Sequence, residues 1–193
     1  MKRIFTAIDI SDEARRQVSD YIADLRAEFP SVRVGWDKPK KLHLTLKFLG
    51  DIDQLQLHKL TEAVKETAKQ NLEFKLKISK TGAFPSQKNA RVLWLGIEDE
   101  KGSLQKLNEI LEAECESKGF AGEKRNFKAH LTIARLREPE NSKELIERHL
   151  QNDFESGEFS VSEVVIYESQ LQKTGSIYLI NSKHKLKRKS IHR

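Results

Sequence analysis

Two histidines in this chain are each followed, two residues later, by a threonine. His43 precedes Thr45, His130 precedes Thr132, and the two motifs lie 87 residues apart with a leucine at the centre of each. Side chains alternate between the two faces of a β-strand, so each histidine shares a face with its threonine. If the two strands face one groove, the repeat brings two imidazoles and two hydroxyls together.

These four groups suit the opening of a cyclic phosphodiester. In-line displacement at phosphorus needs a base for the attacking water and an acid for the departing sugar oxygen. Histidine, with an ordinary pKa of about 6.5, serves either role near neutral pH. Threonine hydroxyls donate hydrogen bonds to the non-bridging phosphate oxygens. This scheme needs no metal and no cofactor, and the sequence alone does not decide which histidine is the acid.

Other catalytic sites have less support in the sequence. It contains no His-Glu-x-x-His motif, no aspartate cluster and no thiolate pair that would indicate a metal site. The single cysteine, Cys115, lies on the apolar stripe of a predicted helix, and no nucleophile-elbow motif occurs. The remaining histidines lack the strand motif and are expected on helix surfaces or in the C-terminal tail; they are His58, His149, His184 and His192.

The segments around the motifs alternate between strand-like and helix-like periodicity. Predicted strands cover residues 3–10, 41–49, 73–79, 91–97, 128–136, 158–168 and 176–181, with a loop at 81–90. Ser11 and Ser103 are predicted to cap two helices, and two further helices are predicted over residues 53–70 and 142–150. The order predicts an α+β fold with largely antiparallel sheets. Strict alternation places Lys47 on the face of His43, and Phe48 on the opposite, apolar face.

The charge and hydropathy of the chain indicate which binding partners and which cellular location to expect. The 193 residues carry a net charge of +6 with a pI near 9.3, which favours a polyanionic partner. The basic run 183–189 is interpreted as a final edge strand or solvated tail rather than a dedicated RNA contact. No apolar run approaches the ~20 residues that cross a bilayer, and the N-terminus does not resemble a signal peptide, so a cytoplasmic protein is expected.

The motifs and their flanks resemble the 2H phosphoesterase superfamily. More narrowly, the chain is similar to the bacterial and archaeal RNA 2′,3′-cyclic phosphodiesterases, historically called 2′-5′ RNA ligases. The similarity covers nearly the whole chain and is carried by residues 3–8, Trp36 and residues 42–50, 82–85, 92–96 and 130–135.

The resemblance implies a bilobal α+β fold in which two antiparallel sheets with outer helices frame a central active-site cleft. It implies one domain, residues 1–193, with two pseudo-symmetric lobes, and hydrolysis of an RNA 2′,3′-cyclic phosphate to a 2′-phosphate. His43 corresponds to the proton donor and His130 to the proton acceptor, while Thr45, Thr132 and Arg135 correspond to phosphate-binding residues. Strand alternation puts Arg135 on the face opposite His130, so a twist or bulge is needed there.

Two alternative functions stay open at this stage. The first is a phosphodiesterase of the same superfamily that acts on a small cyclic nucleotide, an ADP-ribose cyclic phosphate or a 2′-5′-linked oligonucleotide. The second is a non-catalytic RNA-binding protein. A monomer without a protein partner or membrane attachment is expected in each case.

Overall fold

The computed structural model describes residues 1–172 and 175–188, which form four α-helices and nine β-strands. The helices are α1 (Asp12–Glu28), α2 (Gln54–Gln70), α3 (Ser103–Ser117) and α4 (Lys143–Leu150). The strands are β1 (Lys2–Asp9), β2 (Val34–Trp36), β3 (His43–Ile52), β4 (Phe74–Phe84), β5 (Val92–Glu98), β6 (His130–Leu136), β7 (Phe159–Val161), β8 (Glu163–Gln172) and β9 (Gly175–Lys185).

Two sheets organise these strands. Sheet A has the order β3-β1-β8-β9, and sheet B has the order β2-β6-β5-β4-β7. Neighbouring strands within both sheets pair antiparallel, which confirms the predicted α+β fold with two antiparallel sheets. The strand of His43 is an edge strand of sheet A, the strand of His130 is an inner strand of sheet B, and the two approach each other.

The helices cover the outer faces of the sheets. Helix α2 packs on β8 and β9, and α3 lies beside α2. The side-chain amide of Asn108 on α3 donates to the carbonyl of Leu46 in β3 at 3.0 Å. Helix α4 packs on β4, and α1 is joined to α4 by a contact between Tyr21 and His149. Helices therefore support the motif-bearing sheets from the side opposite the histidines.

Side-chain caps fix where three of the helices begin. Ser11 accepts a backbone N–H from the first turn of α1, as predicted, and Asp53 accepts one from the first turn of α2. The prediction that Ser103 caps α3 is wrong, because Ser103 is the first helical residue. The carboxylate of Asp99 instead accepts three backbone N–H groups of that turn, at 2.8–3.2 Å. An acceptor four residues upstream replaces the expected hydroxyl.

His149 is fully buried, so its predicted place on a helix surface is wrong. Its Nδ1 lies 2.9 Å from the hydroxyl of Tyr21, and its Nε2 lies 3.2 Å from the carbonyls of Gly82 and Trp94. Carbonyls only accept, so Nε2 carries the proton and Nδ1 accepts from the tyrosine. Burial lowers the pKa of His149. This neutral side chain joins α1, α4 and sheet B, whereas His58 is exposed on α2 as predicted.

Some strand boundaries differ from the sequence-based ones. β4 continues to Phe84, so the predicted loop 81–90 begins only after that strand. The predicted strand 158–168 is two strands, with β7 in sheet B and β8 in sheet A. β9 runs to Lys185, which confirms an edge strand within the basic run and includes His184. Lys189 and His192 lie outside the described residues.

In the described residues, no helix has both the length and the apolar character needed to cross a membrane.

Candidate active site

The first motif lies at the start of β3. His43 and Thr45 are half-buried on one face of the strand, and Leu44 on the other face is buried. The His43 ring stacks on Phe5 with 4.9 Å between centroids and packs edge-to-face with Tyr178 with 5.2 Å between centroids. Burial among these rings lowers the pKa of His43 to about 4. In the free protein this imidazole is therefore neutral near pH 7.

Further groups act on the same imidazole. The backbone of Lys41 forms a hydrogen bond with the His43 ring, and the negative charge of Asp9 also favours the protonated form. Asp9 is the cross-strand partner of His43 and accepts a hydrogen bond from the hydroxyl of Tyr167, with 2.7 and 2.9 Å to its two carboxylate oxygens. Asp9 and Tyr167 were not predicted as site residues, although Asp9 ends the strand that pairs with the motif.

The second motif lies at the start of β6, and its surroundings resemble those of the first. His130 and Thr132 are half-buried on one face, and the His130 and Phe84 rings pack edge-to-face with 4.9 Å between centroids. Nδ1 of His130 donates to the carbonyl of Lys128 at 2.7 Å, which leaves Nε2 for a reacting group. Burial lowers the pKa of His130 below its ordinary value, and the charges of Lys128 and Arg135 lower it further.

Each motif strand contains a β-bulge at the residue that follows the threonine. In β3, Lys47 and Thr45 pair with consecutive residues of β1, so Leu46 is the extra residue. In β6, Ala134 and Thr132 pair with consecutive residues of β5, so Ile133 is the extra residue. A bulge shifts side-chain alternation by one position. Beyond each bulge, the faces predicted from strict alternation are therefore exchanged.

The bulge in β3 makes two sequence predictions wrong. Lys47, predicted on the face of His43, is turned into the core, where its ammonium pairs with Glu112 and donates to the carbonyl of Ala121 at 3.0 Å. Phe48, predicted on the apolar face, is 73% exposed. It lies 5.6 Å from Phe5, the ring that stacks on His43.

The bulge in β6 supplies the change of face that Arg135 needs. Arg135 is exposed, and its Nη1 lies 3.4 Å from a carboxylate oxygen of Asp37, just beyond β2. The positive charge of Arg135 lowers the pKa of both His43 and His130. This common effect agrees with the contact between β3 and β6, which brings the two motif strands into one region.

The sequence profile of the 2′-5′ RNA ligase superfamily matches residues 10–173. The chain belongs to this superfamily.

Curated relatives of the superfamily match over most of their length. A protein named RNA 2′,3′-cyclic phosphodiesterase in Methanothermobacter thermautotrophicus is 34% identical, with 91% of this chain and 94% of that protein covered. Proteins of the same name are 33% identical in Thermotoga maritima, with 92% of each chain covered, and 32% identical in Archaeoglobus fulgidus, with 91% of this chain and 96% of that one.

Solved structures show the same fold. A protein of Thermus thermophilus superposes with a TM-score of 0.81 at 24% identity, covering 97% of this chain and all of that one. The LigT protein of E. coli, crystallised with 3′-AMP, superposes with a TM-score of 0.75 at 24% identity, covering 96% and 98% of the two chains. Both confirm the α+β fold with paired antiparallel sheets.

Side chains suited to metal binding do not cluster in this superfamily member within residues 1–172 and 175–188. No group of three or more His, Cys, Asp or Glu side chains there is arranged to hold a metal ion. Cys115 is fully buried on α3, and burial raises the pKa of its thiol to about 12. This thiol is neither exposed nor ionised at neutral pH, as its place on an apolar helix stripe predicted.

Proposed function

We propose that this protein hydrolyses RNA ends bearing a 2′,3′-cyclic phosphate to 2′-phosphomonoesters by general acid–base catalysis without a metal ion. The observation that carries the proposal is the repeated His-x-Thr-bulge strand, present in β3 and in β6, which contact each other. The names of the relatives, which are 32–34% identical over nine tenths of the chain, support the same reaction.

In the proposed reaction, the cyclic phosphate lies between the two motif strands. Nε2 of His130 accepts a proton from water as the water oxygen bonds to phosphorus. The bond from phosphorus to the 3′ oxygen breaks, and His43 gives its proton to that oxygen. Thr45 and Thr132 donate to the non-bridging oxygens, whose charge grows in the transition state. The donor and acceptor roles rest on the family resemblance.

Arg135 completes the proposed phosphate site. Its pairing with Asp37 is long, at 3.4 Å, and the guanidinium side chain is 60% exposed, so a phosphate can replace the carboxylate at small cost. A bound phosphodiester brings negative charge close to His43. That charge raises the pKa of His43 from about 4 and so charges the imidazole with the proton it must donate.

The deciding experiment is hydrolysis of an RNA oligomer ending in a 2′,3′-cyclic phosphate, with EDTA present. We expect a 2′-phosphate product from the wild type and a loss of most of the rate in His43→Ala and in His130→Ala. His58→Ala is the matched control, because this histidine is exposed on α2. Loss of wild-type activity in EDTA, or full activity in both motif variants, would overturn the proposal.

A substrate with a good leaving group separates the roles of the two histidines. Bis(p-nitrophenyl) phosphate releases p-nitrophenolate, which needs no protonation, so His43→Ala retains a larger share of its activity on this ester than on RNA. His130→Ala loses its activity on both, since water still needs a base. The reverse pattern would exchange the two roles.

The remaining expectations belong to the same proposal. We propose one domain of two related lobes, a monomer, located in the cytoplasm. Support for the related lobes comes from the two motif strands, each bulged after its threonine. RNA is favoured over the alternative small cyclic nucleotides by the names of the relatives and the net charge of +6. Equal turnover of cyclic mononucleotides and of RNA ends would favour the alternative.

A further inference from the structure

Phe48 is a large aromatic side chain held in solvent beside the proposed catalytic region. It is 73% exposed because the bulge at Leu46 turns it away from the core. The equivalent position after the second bulge is occupied by Arg135, which we assign to the phosphate. Both residues thus lie on the faces that carry the motif histidines, and Phe48 has no packing role that explains an exposed ring.

A small cavity adjoins the Phe48 ring. It has a volume of about 160 Å³ and is lined by Arg3, Ile4, Phe5, Phe48, Gly50, Ser169 and Tyr178. The Tyr178 and Phe5 rings pack edge-to-face with 5.0 Å between their centroids, and the Lys41 ammonium lies 5.6 Å from the centre of the Tyr178 ring. Phe5 and Tyr178 therefore form two aromatic walls of the cavity that hold each other in place, and Phe48 forms a third.

The cavity is continuous with the environment of His43. The Phe5 ring lies between the two, because its centroid is 4.9 Å from the centroid of the His43 ring and 5.6 Å from the centroid of the Phe48 ring. In the proposed reaction His43 serves the 3′ oxygen, which belongs to the ribose of the last nucleotide. The base of that nucleotide is the part of the substrate that lies within reach of this cavity.

We propose that the Phe48 cavity binds the base of the 3′-terminal nucleotide and prefers guanine. This inference rests on the proposed function. Aromatic side chains stack on any base, and a purine offers more area than a pyrimidine. Arg3 at the cavity supplies only donors, which match the N7 and O6 acceptors of guanine, whereas adenine presents an amino donor beside its N7.

The test measures kcat and KM on dinucleotides that end in guanosine, adenosine or uridine 2′,3′-cyclic phosphate. For the guanosine substrate, Phe48→Ala is expected to raise KM about tenfold with a smaller change in kcat, and Phe48→Trp is expected to restore KM. Arg3→Met is expected to reduce the guanine-to-adenine ratio of kcat/KM to about 1 while stacking persists. Leu55→Ala, at a position 65% exposed on α2, is the matched control and changes neither constant.

Each outcome decides between distinct conclusions. If the wild type cleaves all three substrates with equal kcat/KM and Phe48→Ala keeps the wild-type KM, the cavity is not a base site, and the proposed function stands. If KM rises in Phe48→Ala but Arg3→Met retains a guanine preference, the assignment to Arg3 is overturned. If the wild type cleaves none of the three, the proposed function itself fails.

Discussion

The ammonium of Lys47 on β3 is paired with the carboxylate of Glu112 on α3, and only 6% and 20% of the two side chains are exposed. The same ammonium donates to the carbonyl of Ala121 at 3.0 Å, and Glu112 accepts the backbone N–H of Glu123 at 3.3 Å. The segment held in this way leads into the strand of His130. A buried ion pair therefore connects the strand of one motif histidine with the approach to the other.

Removal of one partner is expected to be costly. Lys47→Met leaves Glu112 without its counter-ion, and breaking such a pair costs about 3–5 kcal/mol of unfolding free energy. Lys47→Met combined with Glu112→Leu is expected to recover part of this loss, because no unpaired charge remains. Urea unfolding of both variants measures the difference. Lys69→Met, which breaks an exposed pair with Glu66, is the control and changes the midpoint far less.

Arg135 is expected to matter for catalysis and not for stability. Arg135→Met removes a charged donor from the transition state, so kcat/KM for a cyclic phosphate end falls about 100-fold. Arg135→Lys recovers only part, because an ammonium lacks the two-pronged geometry. The side chain is 60% exposed, so the urea midpoint of both variants stays at the wild-type value. A wild-type kcat/KM in Arg135→Met would remove this residue from the phosphate site.

The two imidazoles are expected to titrate below their ordinary pKa in the free protein, and NMR of the histidine rings measures this directly. His43 is expected to titrate at about 4, and His130 is also lowered. Arg135→Met is expected to raise both pKa values, since its positive charge disfavours each imidazolium. A bound nucleoside 2′-phosphate is expected to raise the pKa of His43. The pH optimum of kcat is then higher than that of kcat/KM, because only kcat reports the substrate complex.

His149 is expected to make stability depend on pH. Its folded-state pKa is lowered, so the unfolded chain binds the proton more tightly, and stability rises with pH across this range. The contribution is fully present above the unfolded pKa of about 6.5 and is lost as pH falls through the folded pKa. His149→Gln is expected to lower stability at pH 7.5 and to flatten the pH dependence below 6.5. Urea midpoints between pH 5 and 8 test this, with His58→Gln as the exposed control.

Much of the fold followed from local signals in the sequence. The cap at Ser11 and the alternation around His43 and His130 predicted elements that the structure contains. The failures have physical reasons as well. The apolar alternation of residues 158–168 does not show where the chain passes from sheet B to sheet A. His149 has charged neighbours in the sequence, and its burial depends on Tyr21, 128 residues away.

The sequence predicted the positions of the motif side chains that precede each bulge, but not the faces of the side chains that follow it. Residue types and spacing select the four motif side chains, which lie half-buried on β3 and β6. The exchange of Lys47 and Phe48 was not predictable, because a bulge depends on the register with a partner strand and leaves the local pattern unchanged. The catalytic roles of His43, His130, Thr45 and Thr132 stay predictions until the kinetic experiments are done.

The bulged residues also set the phase of side-chain alternation in the motif strands. Each bulge decides which of the following side chains face solvent and which face the interior. If β3 kept Leu46 but paired with β1 without the bulge, simple alternation would continue, so Lys47 would point beside His43 and Phe48 would enter the core. Substitutions at Phe48 and Arg135 can therefore change what the groove recognises while the hydrophobic interior keeps its composition, whereas a one-residue shift in strand pairing would change the groove and the interior together.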